Sequence, residues 1–333
     1  SFLVQGWYKK AAYLYLLFPF TVVYALLSML RRSAYRLGLL ARYKAPVPVV
    51  VVGNISVGGT GKTPLVIALV KALQSAGLTP GIISRGYGSK APVYPHCVQT
   101  GDKPEISGDE PLLLAQRSGV PVVIDGNRKR AVEALLAAHP CDVIISDDGL
   151  QHYALQRDVE IAVVDSKRLF GNRLLLPAGP LRESVNRLNH VDFIVSNGGA
   201  IELDCSTPRF AMQLKAINIV SIDGRQQLTV EQWCAGQETK TVHAVAGIGH
   251  PDRFYHSLRE LGLTPLPHSF PDHHPFQQQD FDFDDQLPVI MTEKDAVKVR
   301  HFNQRSNCWY LSVSAEIDDN FYRGVLSKIN SLN

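Results

Sequence analysis

Residues 53–63 combine glycines, a lysine and a threonine in a pattern that suits phosphate binding. They read Gly-Asn-Ile-Ser-Val-Gly-Gly-Thr-Gly-Lys-Thr and lie between a short β-branched run and a stretch of helical apolar spacing. Glycines let successive backbone N–H groups turn toward phosphate oxygens, and the N-terminus of the following helix adds positive potential. This context predicts an ATP-binding loop made of Ser56, Val57, Gly58, Gly59, Thr60, Gly61, Lys62 and Thr63.

Two side chains of this loop have a chemical role of their own. Lys62 would balance charge on the β- and γ-phosphates, and the Thr63 hydroxyl would bind Mg²⁺. The strict pattern has glycine where this chain has Ser56, so the loop is a variant in which Gly58 and Gly59 supply the flexibility. The alternative is a glycine-rich turn that merely contains Gly-Lys-Thr, and the strand–loop–helix setting disfavours it.

A pair of carboxylates follows a second apolar run. Residues 142–146 have the composition of a buried strand, and Asp147 and Asp148 come directly after it. Ligands collect at the carboxyl ends of strands in open α/β sheets, where an aspartate can hold Mg²⁺ directly or through water. A turn explains Asp-Asp-Gly equally well in isolation, but beside the phosphate loop the pair predicts metal ligands. Residues 292–295 have the wrong spacing for guanine recognition, which disfavours a GTPase.

Two further segments carry groups suited to proton transfer. Gly108-Asp-Glu-Pro111 precedes a predicted helix, where its acids would either cap the first turn or act on a substrate hydroxyl. Pro271-Asp-His-His-Pro275 is either a polar loop or, with His268, part of a metal cluster. No cysteine or spaced acid completes a zinc set there. The residues alone leave these alternatives open.

Strands that alternate with helices predict an α/β fold with a mainly parallel sheet. The predicted strands cover residues 47–53, 80–84, 120–125, 142–146, 159–165 and 191–196, and the helices cover 64–76, 109–118 and 128–139. The alternation lapses in the polar segment 197–208 and resumes with strands 241–248, 265–270 and 288–292 and helix 252–261. We therefore predict a phosphate-loop nucleotide-binding domain over residues 41–205 and a smaller α/β domain over residues 206–333 that closes over the site.

Residues 1–40 are predicted to form a membrane-associated N-terminal helix. Residues 11–30 are mostly apolar and lie between Lys9-Lys10 and Arg31-Arg32. The run is long enough to span a bilayer, while its tyrosines and basic flanks also suit a helix lying in the headgroup layer, and a buried helix is a third alternative. Basic residues on both flanks leave the orientation open, so the nucleotide site, which needs cytoplasmic ATP, decides it. A signal peptide is disfavoured because no small-residue cleavage site follows.

Composition excludes some classes of protein. The 333 residues suffice for two domains, and 34 basic against 31 acidic residues give a net charge of +3, which argues against a nucleic-acid partner. Five cysteines are scattered without a C-x-x-C pair, as in reduced cytoplasmic proteins. No obligate protein partner is evident from the sequence.

The order of the motifs resembles that of the tetraacyldisaccharide 4′-kinases of lipid A biosynthesis. After the phosphate loop come Ser84-Arg-Gly-Tyr-Gly, Gly108-Asp-Glu-Pro, Asp147-Asp-Gly-Leu-Gln-His, Leu176-Pro-Ala-Gly-Pro-Leu-Arg-Glu, Ala246-Gly-Ile-Gly-His-Pro, Asp272-His and Thr292-Glu-Lys-Asp-Ala-Val-Lys. These motifs cover nearly the whole chain. Only the phosphate loop is diagnostic by itself, and its Ser56 agrees with the family.

The resemblance implies transfer of the ATP γ-phosphate, with Mg²⁺, to the 4′-hydroxyl of tetraacyldisaccharide 1-phosphate, which gives lipid IVA. It implies an enzyme on the cytoplasmic face of the inner membrane, with the lipid-linked disaccharide and the membrane surface as partners. The catalytic residues would be Asp109 as base, His273 as its partner from the second domain, Lys62 and Arg128. The metal ligands would be Thr63, Glu110, Asp147 and Asp148, and the substrate residues Tyr87, Gln151, Arg182 and Glu183.

A non-kinase phosphate-loop ATPase that acts as a switch at the membrane is the alternative function. Its Gly-Gly-x-Gly-Lys-Thr loop is close to the one in this chain, but such switches usually carry a lysine where this chain has Val57. A switch also has no need for an Asp/His pair from a second domain. It hydrolyses ATP without an acceptor, whereas the kinase needs the lipid.

Overall fold

The computed structural model describes residues 2–302 and 307–332, and a single long β-sheet runs through it. Its thirteen described strands are β1 (Val49–Gly53), β2 (Pro80–Ser84), β3 (His96–Cys97), β4 (Val122–Ile124), β5 (Val143–Asp147), β6 (Val159–Asp165), β7 (Phe193–Asn197), β8 (Arg209–Ser221), β9 (Gln227–Leu228), β10 (Thr241–Ala246), β11 (Thr264–Ser269), β12 (Val289–Thr292) and β13 (Cys308–Ile317). The order is β11-β10-β12-β13-β8-β7-β6-β1-β5-β2-β4-β3, with β9 beside β8.

Most neighbouring strands are parallel, which confirms the predicted α/β fold. Within the described residues, the antiparallel pairs are β3 with β4, β8 with β9 and β8 with β13. The helices are α1 (Phe2–Lys9), α2 (Phe18–Arg36), α3 (Lys62–Ser75), α4 (Pro104–Ser107), α5 (Asp109–Ser118), α6 (Arg128–Ala138), α7 (Val230–Ala235), α8 (Pro251–Glu260), α9 (Glu293–Val299) and α10 (Asp319–Asn330). Each strand and helix named from the sequence is present, with ends that differ by at most two residues.

The half of the sheet that carries the predicted phosphate loop has the apolar pattern that a mainly parallel sheet requires. Residues 49–52 of β1 are four successive valines, all at most 1 % exposed, as expected for a parallel strand covered on both faces. Helix α3 buries Leu65, Leu69 and Leu73 against that sheet at helical spacing. Each such leucine contributes about 1.5–3 kcal/mol relative to exposure. This packing holds the C-terminal end of β1 and the N-terminal end of α3 in a fixed relation.

Strand β8 joins the two halves of the sheet. Its residues 209–212 pair with β7, whereas residues 212–221 pair with β13. The predicted domain boundary at 205/206 falls in the loop before this strand, and the division into 41–205 and 206–333 stays a prediction. Helix α10, the last in the chain, packs back on the first half, where Phe321 contacts Phe193 and Phe210.

The N-terminal segment lies on the surface. The stretch Ala12–Arg36, a 3₁₀ turn followed by α2, is the one described helix long and apolar enough to cross a membrane. The N-terminal segment contacts the segment 175–182 by hydrogen bonds from Trp7 Nε1 of α1 to Pro177 O and from Tyr24 Oη of α2 to Arg182 O, both 3.0 Å. Its outer face is exposed, for example at Leu27 (62 %). The alternative of a buried helix is therefore wrong.

Candidate active site

The predicted phosphate loop connects β1 to α3, and the side chains of two asparagines donate hydrogen bonds to it. Asn54 Nδ2 donates to Gly58 O and to Thr60 Oγ1, each at 3.3 Å. Asn197, at the end of β7, donates from Nδ2 to Thr60 O at 3.0 Å. Gly61 has φ +92°, and a Cβ there would lie 2.3 Å from Asn197 Nδ2, so only glycine fits. Asn197 is a site residue that no sequence motif indicated.

Lys62 and Arg182 meet the same carboxylate. Lys62 Nζ lies 3.4 Å from Asp148 Oδ1, and Arg182 donates to Asp148 Oδ2 at 3.0 Å. Burial alone would raise the pKa of Asp148, but the two cations outweigh it and lower that pKa to about 2. Asp148 is therefore ionised at neutral pH.

Asp147 has the opposite environment although it is the next residue. It is 2 % exposed at the end of β5, and its Oδ2 accepts a hydrogen bond from Ser84 Oγ at 3.2 Å. Burial, and then the charges of Glu110 and Asp148, raise its pKa to about 7. Its Oδ1 is buried and has no hydrogen-bond partner. A carboxylate crowded by other carboxylates, with a free oxygen, fits a divalent cation.

The donor set suits Mg²⁺ better than a metal that needs a complete protein cage. Within residues 2–302 and 307–332, no three His, Cys, Asp or Glu side chains are arranged around a common metal position. Mg²⁺ usually takes one or two carboxylates and completes its shell with phosphates and water. The alternative of a histidine cluster is not supported, because His268 contacts His243 and His274 contacts Asp280.

Asp109 and His273 lie in contact although 164 residues separate them. His273 Nδ1 is 2.9 Å from Asp109 Oδ2 and 3.1 Å from Oδ1. Burial would raise the pKa of Asp109, but the His273 hydrogen bond and the charges of Lys294 and Lys298 lower it to about 2. The hydrogen bond to Asp109 in turn raises the pKa of His273 against the effect of burial. The pair therefore has an ionised carboxylate and a histidine that favours protonation.

Helix α9 adds two lysines to the site. Both belong to the motif at residues 292–298, but neither was predicted to have a role. Lys294 Nζ donates to Glu110 Oε1 at 2.8 Å and to Asp272 Oδ1 at 3.2 Å. Lys298 Nζ lies 3.7 Å from Asp109 Oδ2. The two are four residues apart on one helix face, directly after the end of β12. The signal that could have indicated them is a pair of lysines, four residues apart, in the helix that directly follows a strand.

The remaining predicted substrate residues form a wall beside Asp148. Gln151 Nε2 donates to Glu183 Oε2 at 3.2 Å, and Tyr153 donates to Glu183 Oε1. Burial raises the pKa of Glu183, although Arg187 opposes the change. Tyr87 is 64 % exposed and stands with its ring 5.2 Å from the His273 ring. Tyr87 therefore lies on the side of the Asp109–His273 pair, whereas Gln151 and Glu183 lie on the side of Arg182 and Asp148.

Arg128 is buried next to the main chain of Asp125 and Asp147. It is 4 % exposed and donates to the carbonyl oxygens of Asp125, at 2.9 Å, and of Asp147, at 3.3 Å. Burial lowers its pKa to about 10, even though Asp147 and Asp148 oppose the shift. Arg128 thus remains charged at neutral pH and stabilises the two aspartates.

Two arginines connect the phosphate loop to the second half. Arg168 donates to Gly249 O at 2.8 Å, and Arg253 of α8 lies 3.2 Å from Asp165 and donates to Asn197 O. Arg168 thus contacts the loop after β10, and Arg253 joins the first turn of α8 to the ends of β6 and β7. The loop after β10 also lies close to the phosphate loop, since a Cβ on Gly249 would be 3.4 Å from Gly59 N.

A phosphate loop with acidic groups at the adjacent strand end is common to ATPases and kinases. Here the same site also holds a buried carboxylate, Asp109, whose partner comes from the other half of the sheet. Accepting a proton from a second substrate requires such a group, whereas binding a nucleotide does not. The fold and the site define a nucleotide-dependent phosphotransferase of the phosphate-loop class.

Comparison with known proteins identifies the family. A family model described as tetraacyldisaccharide-1-P 4′-kinase matches residues 13–330, and the chain belongs to this family. Tetraacyldisaccharide 4′-kinase of Histophilus somni is 51 % identical over 91 % of this chain and 89 % of its own. That of Actinobacillus succinogenes is 48 % identical over 98 % of both chains. A crystal structure of LpxK from Aquifex aeolicus in complex with ATP has a TM-score of 0.80 at 28 % identity, covering 95 % of this chain and 99 % of its own.

The protein is therefore an ATP-dependent kinase that transfers the γ-phosphate to the 4′-hydroxyl of tetraacyldisaccharide 1-phosphate in lipid A biosynthesis. ATP and Mg²⁺ are its cofactors, as the resemblance implied. Membership of this pathway together with the apolar α2 supports membrane association. The comparisons give no support to the alternative of an ATPase switch.

Proposed function

We propose that Asp109 accepts the proton of the lipid 4′-hydroxyl and that His273 holds and stabilises the Asp109 carboxyl group. The hydroxyl oxygen forms a bond to the γ-phosphorus, the bond from that phosphorus to the β,γ-bridging oxygen breaks, and ADP leaves. The hydroxyl proton passes to Asp109. The observation that carries the proposal is the 2.9 Å contact of His273 with Asp109 beside the phosphate loop. A positioned carboxylate of this kind is the usual assistance in phosphoryl transfer to a hydroxyl.

The charged groups on the nucleotide side would neutralise the phosphates. Lys62 Nζ lies 3.4 Å from Asp148 Oδ1. It would leave this carboxylate to bind a β- or γ-phosphate. Thr63 and Asp147 would hold Mg²⁺, with Glu110 and Asp148 close enough to act on it through water. Bound Mg²⁺ supplies charge neutralisation between the β- and γ-phosphate oxygens. The backbone of residues 56–61 would bind the phosphates through its N–H groups.

Acceptor binding would fall to the wall beside Asp148. We assign Gln151, Arg182 and Glu183 to the sugar, with Tyr87 on the opposite side near His273. Arg128 would act as a positioning residue, since its Nη1 and Nη2 donate to the carbonyl oxygens of Asp125 and Asp147. The two halves, residues 41–205 and 206–333, would close over the substrates.

The enzyme would work at the cytoplasmic face of the inner membrane. Support comes from the exposed apolar face of α2 and from the need for cytoplasmic ATP. The segment 175–182 contacts α2 on one side and the phosphate loop on the other, through hydrogen bonds from Val57 N to Pro180 O and from Arg182 N to Ile55 O. An acceptor lipid held in the bilayer beside α2 would thus lie next to the phosphate loop.

A double-mutant cycle on Asp109 and His273 tests this assignment. Each alanine variant should lose about 10²–10⁴-fold in kcat for the lipid acceptor, because either change disables the same proton transfer. Since residues that act as a unit give non-additive losses, the double variant should be scarcely slower than the slower single variant. Nucleotide binding, measured by calorimetry, should be nearly intact in all three.

His274→Ala is the matched control, because this neighbouring histidine contacts Asp280 instead of Asp109. Its kcat should stay close to that of the unmodified protein. Losses of the two single variants that multiply in the double variant would show that Asp109 and His273 act separately. The assignment of the pair would then be wrong, although the kinase family would stand.

A further inference from the structure

A cavity of about 450 Å³ lies at the end of α2, outside the phosphate loop. One wall is the end of α2 with the residues that follow it, and the others are the segments 153–160 and 187–192. Its positive lining consists of five arginines, Arg32, Arg36, Arg42, Arg157 and Arg187. The cavity adjoins the proposed acceptor wall, because Tyr153 donates to Glu183 and Arg187 lies 3.6 Å from it, but the phosphoryl transfer proposed above gives its lining residues no role.

The floor of the cavity is a closed set of ion pairs. Glu160 Oε1 lies 3.0 Å from Arg157 Nη1 and 2.5 Å from Arg187 Nη2. The other acid of the lining, Asp192, pairs with Lys328 at 2.7 Å. Both acids are thus already neutralised by cations other than the three arginines of the upper wall. The floor therefore adds no unpaired negative charge from the residues that line the cavity.

The upper wall keeps unpaired positive charge. Among the described residues, Arg32, Arg36 and Arg42 have no acidic partner at ion-pair distance, and Arg36 and Arg42 are exposed. Burial, followed by the charges of Arg36 and Arg187, lowers the pKa of Arg32, although Glu183 and Glu160 oppose the shift. Three guanidinium groups around one opening match the oxygens of a phosphate, which arginine binds by paired hydrogen bonds.

Exposed leucines, called here the leucine rim, are neighbours in the chain of the arginines of the upper wall. Leu37, Leu39 and Leu40 follow α2 directly and are 74, 75 and 41 % exposed. Within α2, Leu27 and Leu30 are 62 and 61 % exposed. Exposed leucines beside arginines are the arrangement of a surface at the boundary between hydrocarbon and headgroups. A soluble anion would make no use of this rim, whereas a lipid would use both parts.

We propose that the cavity binds the phosphate headgroup of an anionic membrane phospholipid, at a site separate from that of the acceptor lipid. This inference rests on the proposed placement of the enzyme at the membrane. Arg32, Arg36 and Arg42 contact the headgroup phosphate, and the leucine rim contacts the acyl chains. The bound phospholipid fixes the end of α2 and the adjoining segments of the kinase at the height of the headgroups.

Vesicle binding of the full chain tests the site. The pocket variant R32Q/R36Q/R42Q is compared with R225Q/R259Q/R323Q, which removes the same charge from exposed arginines of the second half. Sedimentation uses vesicles of phosphatidylcholine alone or mixed with phosphatidylglycerol. The unmodified and control proteins should prefer the anionic vesicles, and the pocket variant should lose that preference. A loss of about fivefold in affinity per arginine corresponds to about 1 kcal/mol for each basic residue near an anionic membrane.

Three results would overturn the inference. One is a pocket variant that keeps the preference of the control. Another is abolition of the preference by inorganic phosphate at constant ionic strength, which would assign the cavity to a soluble anion. The third is a raised KM for the disaccharide in neutral detergent micelles, which would assign it to the phosphate of the acceptor.

The activity of the variants keeps this test apart from the catalytic assignment. In neutral micelles the pocket variant should retain the kcat and KM of the control, which also shows that it folds. If the triple variant does not fold, R42Q alone serves, because Arg42 lies outside α2. It should lower the preference for anionic vesicles by about fivefold, and an unchanged preference would contradict the inference.

Discussion

Asp147 and Asp148 are adjacent in the chain, yet the pKa of the first is raised to about 7 and that of the second is lowered to about 2. The difference comes from burial and from the charges that each carboxylate faces. Asp148 points toward Lys62 and Arg182, whereas Asp147 points into the strand end and faces Glu110. Asp148 thus pairs with the lysine of the phosphate loop, whereas Asp147 keeps one buried oxygen without a hydrogen-bond partner.

Lys62→Ala should abolish kinase activity, because the loop loses the cation that balances β- and γ-phosphate charge. The change also leaves Asp148 with Arg182 as its remaining close cation. We expect kcat to fall by much more than tenfold, with transfer to the lipid acceptor as the measurement. If kcat stayed above about a tenth of the original value, a loss below ~1.4 kcal/mol, the loop would not be the ATP site.

Asp109→Asn should lower the pKa of His273. The hydrogen bond to the Asp109 carboxylate is the main cause of the raised pKa, and burial together with Lys294 acts against it. An amide cannot stabilise the imidazolium in the same way, so the histidine should lose its proton at lower pH. Proton NMR titration of the histidine ring signals would measure the change.

The same titration contains its own control. His268, whose pKa is lowered by burial and by His243, contacts His243 instead of Asp109 and should keep that pKa in both proteins. An unchanged His273 in Asp109→Asn would mean that the carboxylate does not set its charge. It would leave the 2.9 Å contact without chemical effect.

Among the elements, the turn from β1 into α3 is the most constrained. Gly61→Ala should destabilise the protein by at least ~1 kcal/mol, because a left-handed backbone disfavours a side chain and the Cβ meets Asn197. Gly59→Ala is the matched control, since no atom lies within 4 Å of a Cβ there. Urea unfolding without nucleotide compares the two variants. Equal stabilities would show that the loop relaxes around Gly61.

The elements around the site differ in how well the sequence predicts them. The valine run predicts β1 and the leucine spacing predicts α3 from the local sequence alone, because the core buries both elements. No comparable pattern marks β8, whose residues alternate between exposed and partly buried over most of its length. Its place is decided by pairing with β7 and β13, which are far apart in the chain.

The same limit applies to the site. Loop residues and strand-end aspartates follow from local spacing, and the family resemblance indicated Asp109 and His273. Asn197, Lys294 and Lys298 were missed because their relevance depends on which strand ends are neighbours. Strand order is a property of the whole sheet, and single motifs do not contain it.

On the scale of the whole molecule, the N-terminal segment is the part outside the α/β alternation. Removing residues 1–30 should leave a folded ATP-binding domain and move the protein from the membrane to the soluble fraction. Transfer to the lipid should fall as well, because Tyr24 and Thr21 contact the 175–182 segment that carries Arg182. Fractionation, ATP binding and transfer would be measured together. A truncated protein found wholly in membranes would mean that other surfaces anchor it.

The strand shared by the two halves also matters for solubility. Two separate sheets would have four outer strands, each with unpaired backbone groups able to pair with other chains. Because β8 continues both ladders, only β3 and β11 lie at the edges of the described sheet path. β3 has two residues, and β11 contains Pro265 and Pro267, which have no N–H to donate. The long sheet therefore ends in strands that make poor templates for aggregation.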